Sequence, residues 1–191
     1  MFELVDQWTL FDAPARRLTV GALTMVEARD WAIASLAQPQ AMVAAPTPWD
    51  ITLPGPGCSA QAATPDITAI WTGPGQWFLL APGQDGERFT QALSQQAPQC
   101  PITDQTDGWS VIDSRSTAGA APVIGLLEKL VNLDPAALGP GAATRTLAKH
   151  HGIVLWRPAT DRLVILVMRS YAQDLWQALD AQSKFSQNRI G

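Results

Sequence analysis

The stretch ITAIWTGPGQWFLL, residues 67–80, does most to decide the fold. Two apolar runs, rich in β-branched and aromatic residues, flank a central TGPG sequence that contains Gly73 and Pro74. Gly and Pro between such runs favour a tight reversal of the chain, and the flanking side chains suit strands. The pattern predicts a β-hairpin in which Trp71 and Trp77 face each other or nearly so.

The segment before this hairpin supports two interpretations. Thr24 and Glu27 have the spacing of a capping box, which would begin a helix. Residues 31–36 alternate larger and smaller side chains, as a mostly buried strand would. Periodicity alone leaves both interpretations open.

Two other segments are expected to be irregular. Residues 46–65 are rich in Pro, Gly and Ala and are expected to form a surface loop, and residues 1–17 are expected to form an irregular N-terminal arm.

The remaining chain mixes strands and helices. Apolar spacing predicts one helix from Asp85 or Gly86, a second over 123–131, and a third opened by a capping box of Ser170 and Gln173. Strands are expected at 109–113, 144–148, 153–157 and 163–168, with a turn at 158–161. The mixture lacks regular βαβ spacing, which favours an α+β class with a mostly antiparallel sheet. At 191 residues, we expect one domain over 1–191.

Composition excludes several classes of protein. Hydrophobic residues make up 47% of the chain and charged residues 16%, so intrinsic disorder is excluded. Fifteen prolines and fourteen glycines interrupt the chain too often for a coiled coil or a long helical bundle. Eight of the aromatic residues are tryptophans, a residue type enriched at protein interfaces and in binding hot spots.

Charge, cysteines and the N-terminus bear on compartment and partners. The formal net charge of -4 argues against a general nucleic-acid binder. Cys58 and Cys100 have no metal-site spacing and are expected to be reduced thiols. Residues 1–12 lack the basic and apolar regions of a signal peptide, and prolines interrupt the longest uncharged stretch, 31–49. We therefore expect a cytoplasmic protein with no membrane association.

The search for catalytic residues returns weak candidates. The sequence GPGCSA at 55–60 matches G-x-G-x-x-A but lies in the predicted loop, so it is expected to be a coincidence. His150 and His151, the two imidazoles, are expected to be polar strand-end residues, with a general base or ligand as the alternative.

Three aspartates, Asp104, Asp107 and Asp113, form the densest carboxylate group. If a strand ran from 107, Asp107 and Asp113 would share a face and could do acid–base work. Capping of turns by short acids is the preferred interpretation. Trp71 and Trp77 could stack on a flat ligand, although packing in a core or against a partner is commoner. The residues themselves indicate no catalytic, cofactor or metal site.

Five short motifs follow one another along the chain. They are the hairpin segment with Trp71, Gly73, Pro74 and Trp77, then Leu133-Asp134-Pro135, Gly141 to Thr146 with Arg145, Val167 to Ala172 with Arg169 and Ser170, and Leu175-Trp176. This ordered set resembles the gamma subunit of heterotetrameric sarcosine oxidase, and the hairpin segment is similar to that family's W-x-G-P-x-x-W-L-L segment. The resemblance covers roughly residues 30–185, and it favours a strand rather than a helix at 30–37.

That family is in turn similar to the folate-binding domain of glycine-cleavage aminomethyltransferases. The resemblance implies a central antiparallel sheet with helices packed on one side. In the aminomethyltransferases a catalytic Asp follows a Gly-Gly-Ile/Val stretch. The corresponding segment here, His151 to Arg157, has Leu155 and Trp156 where the carboxylate would lie. Because neither side chain takes up or holds a proton, the sequence argues against independent aminomethyl transfer.

The resemblance implies a non-catalytic subunit that packs on the large subunit of a sarcosine oxidase-like complex. The partners would be the alpha (large), beta and delta subunits, which would carry FAD, FMN and NAD and bind tetrahydrofolate, while this chain binds no cofactor. The complex would demethylate sarcosine oxidatively to glycine. The motif residues Trp71, Gly73, Pro74, Trp77, Arg145, Thr146, Arg169 and Ser170 are the candidate interface residues. Two alternatives are a free-standing folate-binding or aminomethyltransferase-like protein and an assembly factor that leaves the finished complex.

Overall fold

The computed structural model describes residues 15–63 and 66–187, which form two antiparallel sheets. The first sheet has the order β1-β2-β8-β11-β10-β9. Its strands are Arg17–Val20 (β1), Leu23–Ala28 (β2), Trp109–Ser116 (β8), Ala143–Ala148 (β9), His151–Ala159 (β10) and Arg162–Met168 (β11). The second sheet has the order β4-β5-β6-β3-β7. Its strands are Trp31–Ala37 (β3), Ser59–Gln61 (β4), Thr68–Gly73 (β5), Gln76–Pro82 (β6) and Ile102–Asp104 (β7).

Three α-helices lie within the described residues: Gly86–Gln96 (α1), Ala121–Leu130 (α2) and Ala172–Gln187 (α3). Asp85 caps α1, since its carboxylate accepts a hydrogen bond from the backbone N–H of Arg88 at 3.0 Å. Single 3₁₀ turns at Pro48–Asp50, Pro135–Ala137 and Arg169–Tyr171 shape the connections. The last of these turns leads directly into α3.

The layers follow the order helix, sheet, sheet, helix, because each sheet buries both of its faces. Alternate residues of the two sheets, among them Ile33, Phe78, Val154 and Leu166, form the core between them. The outer face of the first sheet packs on α2 and α3, and the outer face of the second packs on Phe89 and Leu93 of α1. The helices were expected on one side of a single central sheet. The structure instead has two sheets with helices on both outer faces.

The hairpin predicted from residues 67–80 is confirmed. Trp71 of β5 pairs with Trp77 of β6 in register, as predicted. Gly75 in the turn has a φ of 65°, a conformation that glycine adopts without steric cost. Both tryptophans lie on the outer face of the second sheet, where the Trp77 indole donates a hydrogen bond to the Pro54 carbonyl at 2.8 Å.

Most other predicted elements are also confirmed, including the strand at 30–37 and the start of α1. The capping-box interpretation of Thr24 and Glu27 is wrong, because both residues belong to β2, which pairs with β8 along its whole length. Ser170 lies inside the 3₁₀ turn before α3 rather than at its N-cap. The expected turn at 158–161 is shorter, since β10 continues to Ala159.

The N-terminal arm and the Pro-rich loop are described only in part. Residues 1–14 of the expected arm lie outside the described residues, and Arg17 already belongs to β1. The segment 46–63 is mainly loop, interrupted by a 3₁₀ turn and by β4. The GPGCSA sequence at 55–60 leads into strand β4 at Ser59–Gln61 and not into a helix, so it lacks the strand–turn–helix context of a dinucleotide site.

The buried indole bond of the hairpin has a measurable consequence. Trp77→Phe removes the donor to the Pro54 carbonyl and part of a buried ring, so we expect a loss of about 2–4 kcal/mol in the free energy of unfolding. Trp71→Phe is the matched control. Trp71 is the register partner of Trp77 but is only half-buried, so this variant should lose less than about 1 kcal/mol in the free energy of unfolding. Urea unfolding followed by circular dichroism measures both, and equal losses would contradict this account.

Candidate functional site

The densest group of charged and aromatic side chains lies at one end of the space between the sheets. We call it the Asp113 cluster; its members are Asp113, Arg115, Arg162, Trp31 and Trp156. The guanidinium of Arg162 binds Asp113 through both carboxylate oxygens, with Nε to Oδ1 at 2.8 Å and Nη2 to Oδ2 at 3.0 Å. Arg115 adds Nε and Nη2 contacts to Oδ2 at 3.1 and 3.0 Å. Such two-pronged pairing fixes the carboxylate geometrically as well as electrostatically.

Strand register brings the charged members of the cluster together. Asp113 of β8 pairs with Val164 of β11, and Arg162 pairs with Arg115. Because alternate residues of a strand point to the same face, all three charged side chains project towards the second sheet. The diagonal position of Arg162 relative to Asp113 lies within reach of a long side chain.

The tryptophans of the cluster join the two sheets. Trp31 of the second sheet meets Trp156 of the first edge to face, with ring centroids 6.3 Å apart. The guanidinium carbon of Arg162 lies 5.9 Å from the centre of the Trp31 ring, a cation–π contact. The Trp156 indole donates to Ser59 Oγ at 3.1 Å, and Ser59 Oγ donates to the Gly141 carbonyl at 2.8 Å.

These contacts limit the chemistry that the cluster can perform. Both Asp113 oxygens already accept hydrogen bonds from arginine, and both indoles are buried. A general base needs an accessible lone pair within reach of the proton that it takes. The cluster therefore offers no free carboxylate for acid–base work. Its contacts from Asp113 through Arg162 to Trp31 instead hold the two sheets together, and we call this arrangement the clamp.

The three aspartates considered for acid–base work do not form one site. The strand begins at Trp109, and a turn closed by the Gly108 N–H on the Gln105 carbonyl precedes it. Asp107 therefore does not share a strand face with Asp113; its side chain is fully exposed. Asp104 accepts a hydrogen bond from the Thr106 N–H at 2.8 Å, which confirms the turn-capping interpretation for this residue.

Two arginines of the motifs bind backbone carbonyls and connect separate elements. Arg169 Nε donates to the Asp107 carbonyl at 2.6 Å, and Nη2 donates to the Thr106 carbonyl at 3.1 Å. These bonds tie the entry of α3 to the loop before β8. Arg145 Nη1 approaches the Thr72 carbonyl at 3.5 Å and so links the edge strand of the first sheet to the hairpin.

The other motif residues lie in the same parts of the fold. Gly73 and Pro74 form the end of the hairpin, Thr146 lies half-buried on β9, and Ser170 lies in the turn before α3. The eight residues thus occupy three places, the hairpin, β9 and the start of α3. Their role as an interface stays a prediction.

Both histidines were interpreted as polar residues at strand ends, and this is correct for His151 but not for His150. His150 lies in the turn between β9 and β10 with a φ of 73°, while His151 begins β10. The His151 ring stacks on Tyr171 with centroids 4.2 Å apart, and its Nε2 lies 3.6 Å from Asp174 Oδ2. Among the described side chains, no group of three or more His, Cys, Asp or Glu residues could hold a metal ion.

The segment that would carry an aminomethyltransferase carboxylate is buried. Leu155 packs in the core between the first sheet and its helices, and Trp156 packs between the sheets. Arg157 is also buried; Nη1 donates to the Leu138 carbonyl at 2.9 Å and Nη2 to the Thr160 carbonyl at 3.0 Å, while Nε has no hydrogen-bond partner. No local sequence pattern marks Arg157 or Arg162 as a site residue, because the contacts of both depend on strand register and on residues distant in sequence.

Both cysteines are free, and they differ in exposure. Cys58 is exposed, whereas burial raises the pKa of the Cys100 thiol.

Within residues 15–63 and 66–187, no helix has the length and apolar character needed to span a bilayer.

Comparisons with known proteins give matches by structure only. No family model matches the sequence, and no curated protein matches it. The structure is similar to heterotetrameric sarcosine oxidase from Corynebacterium sp. U-96 in complex with pyrrole 2-carboxylate, with a TM-score of 0.69 and 21% identity over 88% of this chain and 88% of that chain.

A second similar structure is aminomethyltransferase T of the glycine cleavage system from Bartonella henselae. The TM-score is 0.56 at 13% identity, over 80% of this chain and 44% of that chain. At these identities the likeness is one of fold. The chain therefore has the α+β fold that both proteins contain, and it spans less than half of the aminomethyltransferase.

The clamp at Asp113 predicts a loss of stability on neutralisation. Asp113→Asn removes the charge that holds Arg162, so we expect a loss of about 1–2 kcal/mol in the free energy of unfolding. Asp107→Asn is the control, because that side chain is fully exposed and forms a long ion pair with Arg169 at 3.9 Å. An exposed pair of this kind contributes little to stability, so the urea midpoint should move much less than in Asp113→Asn. A midpoint that moves equally in both variants would contradict the clamp.

The cysteines should react at different rates in the folded protein. The thiolate is the nucleophile, and a raised pKa lowers its fraction at neutral pH, so Cys100 should be alkylated much more slowly than exposed Cys58. Mass mapping after a short iodoacetamide pulse measures this difference, which should vanish in 8 M urea, a denaturant concentration of the order used for full unfolding. Rapid labelling of Cys100 in the native protein would be inconsistent with its burial.

Proposed function

We propose that this chain is the small, non-catalytic gamma subunit of a heterotetrameric sarcosine oxidase-like complex, where it packs on the large subunit. The observation that carries the proposal is the extent of the structural match. A chain of sarcosine oxidase corresponds to 88% of this chain and is itself covered to 88%. This agrees with the ordered motifs over residues 30–185, which resemble the same family.

The state of the candidate catalytic groups supports a structural role. Asp113 is held by two arginines, and Asp104 caps a turn. Leu155 and Trp156 are buried where an aminomethyltransferase-like enzyme would need a carboxylate. These side chains hold the fold together, which suits a chain whose contribution to a complex is shape and contact.

In the proposed complex, the chemistry belongs to the alpha, beta and delta subunits. Those chains carry FAD, FMN and NAD and bind tetrahydrofolate, and the complex demethylates sarcosine oxidatively to glycine with transfer of the one-carbon unit to folate. This chain binds none of these cofactors. Its part is to pack on the large subunit and to help shape or seal the internal route between the active sites.

A free-standing folate-binding or aminomethyltransferase-like protein is the second candidate, favoured by the shared fold with aminomethyltransferase T. A folate site needs a flat apolar surface for the pterin and a free polar group. Trp77 is buried, and its register partner Trp71 is half-buried against the outer face of the second sheet. Trp31 and Trp156 are buried between the sheets, so none of the four rings offers a fully free face without rearrangement. This observation weighs against the second candidate.

Co-expression tests the proposal directly. The tagged chain should be purified together with the alpha, beta and delta chains of the organism that encodes it. We expect the four chains to elute together from size exclusion in equal amounts, with flavin absorbance in the same peak. Elution of this chain alone, while the other three remain together, would contradict a permanent subunit and favour an assembly factor.

Calorimetric titration of the isolated chain with tetrahydrofolate separates the two candidates. Because the described tryptophans are packed in the fold, we expect no heat of binding at micromolar folate. Micromolar affinity would favour the second candidate.

A further inference from the structure

Three exposed apolar side chains lie at one end of the first sheet. Leu147 at the end of β9 is 64% exposed, Met168 at the end of β11 is 46% exposed, and Tyr171 just beyond is 38% exposed. Only Val43 and Leu133 join them as exposed large hydrophobic residues in the described part of the chain. Leu147 and Met168 project from the face of the first sheet that meets the second sheet, whereas Tyr171 stacks on His151 at the opposite face. Neighbouring exposed apolar side chains, such as Leu147 and Met168, are a feature of interaction surfaces.

Strand register places two of these side chains in one row. Leu147 pairs with Gly152, and Met168 pairs with Trp109. Strands β10 and β11 are antiparallel, and Ile153 of β10 pairs with Val167 of β11. The preceding residue of β10, Gly152, therefore lies beside the following residue of β11, Met168. Gly152 has no side chain, and a Cβ there would meet nothing within 4 Å. The row is thus open above Gly152 and bordered by Leu147 and Met168.

The turn beside this row is strained. Lys149 and His150 have φ values of 46° and 73°, the positive values of a type I′ turn. That turn favours Asn-Gly, because other residues pay a steric cost at positive φ. Strain held in a native structure is a hint of function. In this turn, the side chains of Lys149 and His150 are exposed at the end of the hairpin of β9 and β10.

The charge of this region differs from that of the whole chain. Residues 135–160 contain Arg145, Lys149, Arg157 and both histidines but no Asp or Glu, in a chain of net charge -4. Arg145 and Lys149 are exposed cations, and the His150 ring beside them is exposed. Two exposed carboxylates at this end of the sheet, Asp107 and Asp174, lie beside Arg169 and His151. The hairpin of β9 and β10 itself carries the two cations and no carboxylate, which complements an apolar pocket ringed by carboxylates.

We propose that Leu147, Lys149, His150 and Met168, here called the hairpin-tip surface, dock on an acidic-rimmed apolar pocket of the large subunit. This inference rests on the proposed function and names the part of the chain that makes the contact. A second copy of this chain is a poorer occupant, because a two-fold contact would bring the same cations face to face.

Competition during assembly measures the contribution of this surface. Wild-type and variant chains with tags of different mass are co-expressed with limiting alpha, beta and delta chains, and complexes are isolated through a tag on the large subunit. The ratio of the two chains in the complex, measured by mass spectrometry, gives the fold-change in assembly. Wild type competing with itself should give a ratio of one.

Apolar and charged substitutions have matched controls elsewhere on the surface. Leu147→Ser and Lys149→Glu should each be under-represented by about tenfold or more, as expected for contacts at an interface centre. Val43→Ser and Arg88→Glu change exposed residues away from the hairpin of β9 and β10 and should stay near a ratio of one. Raising the salt concentration in pull-downs should weaken wild-type binding.

A stabilising variant separates docking from folding. Lys149→Asn/His150→Gly gives the turn its preferred residues, so the isolated chain should melt about 2–4 °C higher. The same variant should be under-represented in the complex, because the exposed side chains at the tip are lost. A loss of assembly together with a gain in Tm supports docking through the tip.

The outcomes distinguish the two proposals. If wild type enters the complex and all hairpin-tip variants compete equally with it, the hairpin-tip surface is overturned while the subunit role stands. If wild type itself is absent from the complex, the subunit role fails and the docking surface fails with it. A dimer of the isolated chain that Leu147→Ser dissociates would assign the surface to a second copy and overturn the proposal.

Discussion

The contact between Trp31 and Trp156 is the constraint on which the rest of the structure depends. These two indoles join one sheet to the other, and Arg162 ties them to the carboxylate of Asp113. Once the inner faces are packed in this way, each sheet still has an apolar outer face that must be covered. Helix α1 covers one of these faces, and α2 and α3 cover the other.

This packing changes the meaning of the tryptophan-rich composition. The seven tryptophans of the described residues are all buried or half-buried: Trp31, Trp49, Trp71, Trp77, Trp109, Trp156 and Trp176. Their abundance therefore reflects the core of a four-layer fold rather than an exposed aromatic interface. The exposed apolar side chains lie elsewhere, at Leu147 and Met168 beside the hairpin of β9 and β10, which carries Arg145 and Lys149.

Local sequence patterns were sufficient to predict most of the strands and helices, but they were insufficient to predict how these elements assemble into two sheets. The hairpin at 67–80 and helix α1 follow from turn residues, a cap and apolar spacing, all of which act over a few positions. The partition into two sheets depends on pairings between distant segments, such as β2 with β8, which no local pattern encodes. The same pairing overrode the capping-box sequence at Thr24, and the Asp113–Arg162 contact joins residues 49 positions apart.

The proposed subunit role combines a fold shared with a sarcosine oxidase chain and a surface suited to an acidic partner. Hydrogen–deuterium exchange, compared between the isolated chain and the co-expressed complex, tests this combination most directly. The account predicts slower exchange on assembly at residues 145–152 and 168–171, with α1 unchanged. Unchanged exchange at those residues, with protection confined to α1 and the second sheet, would contradict it.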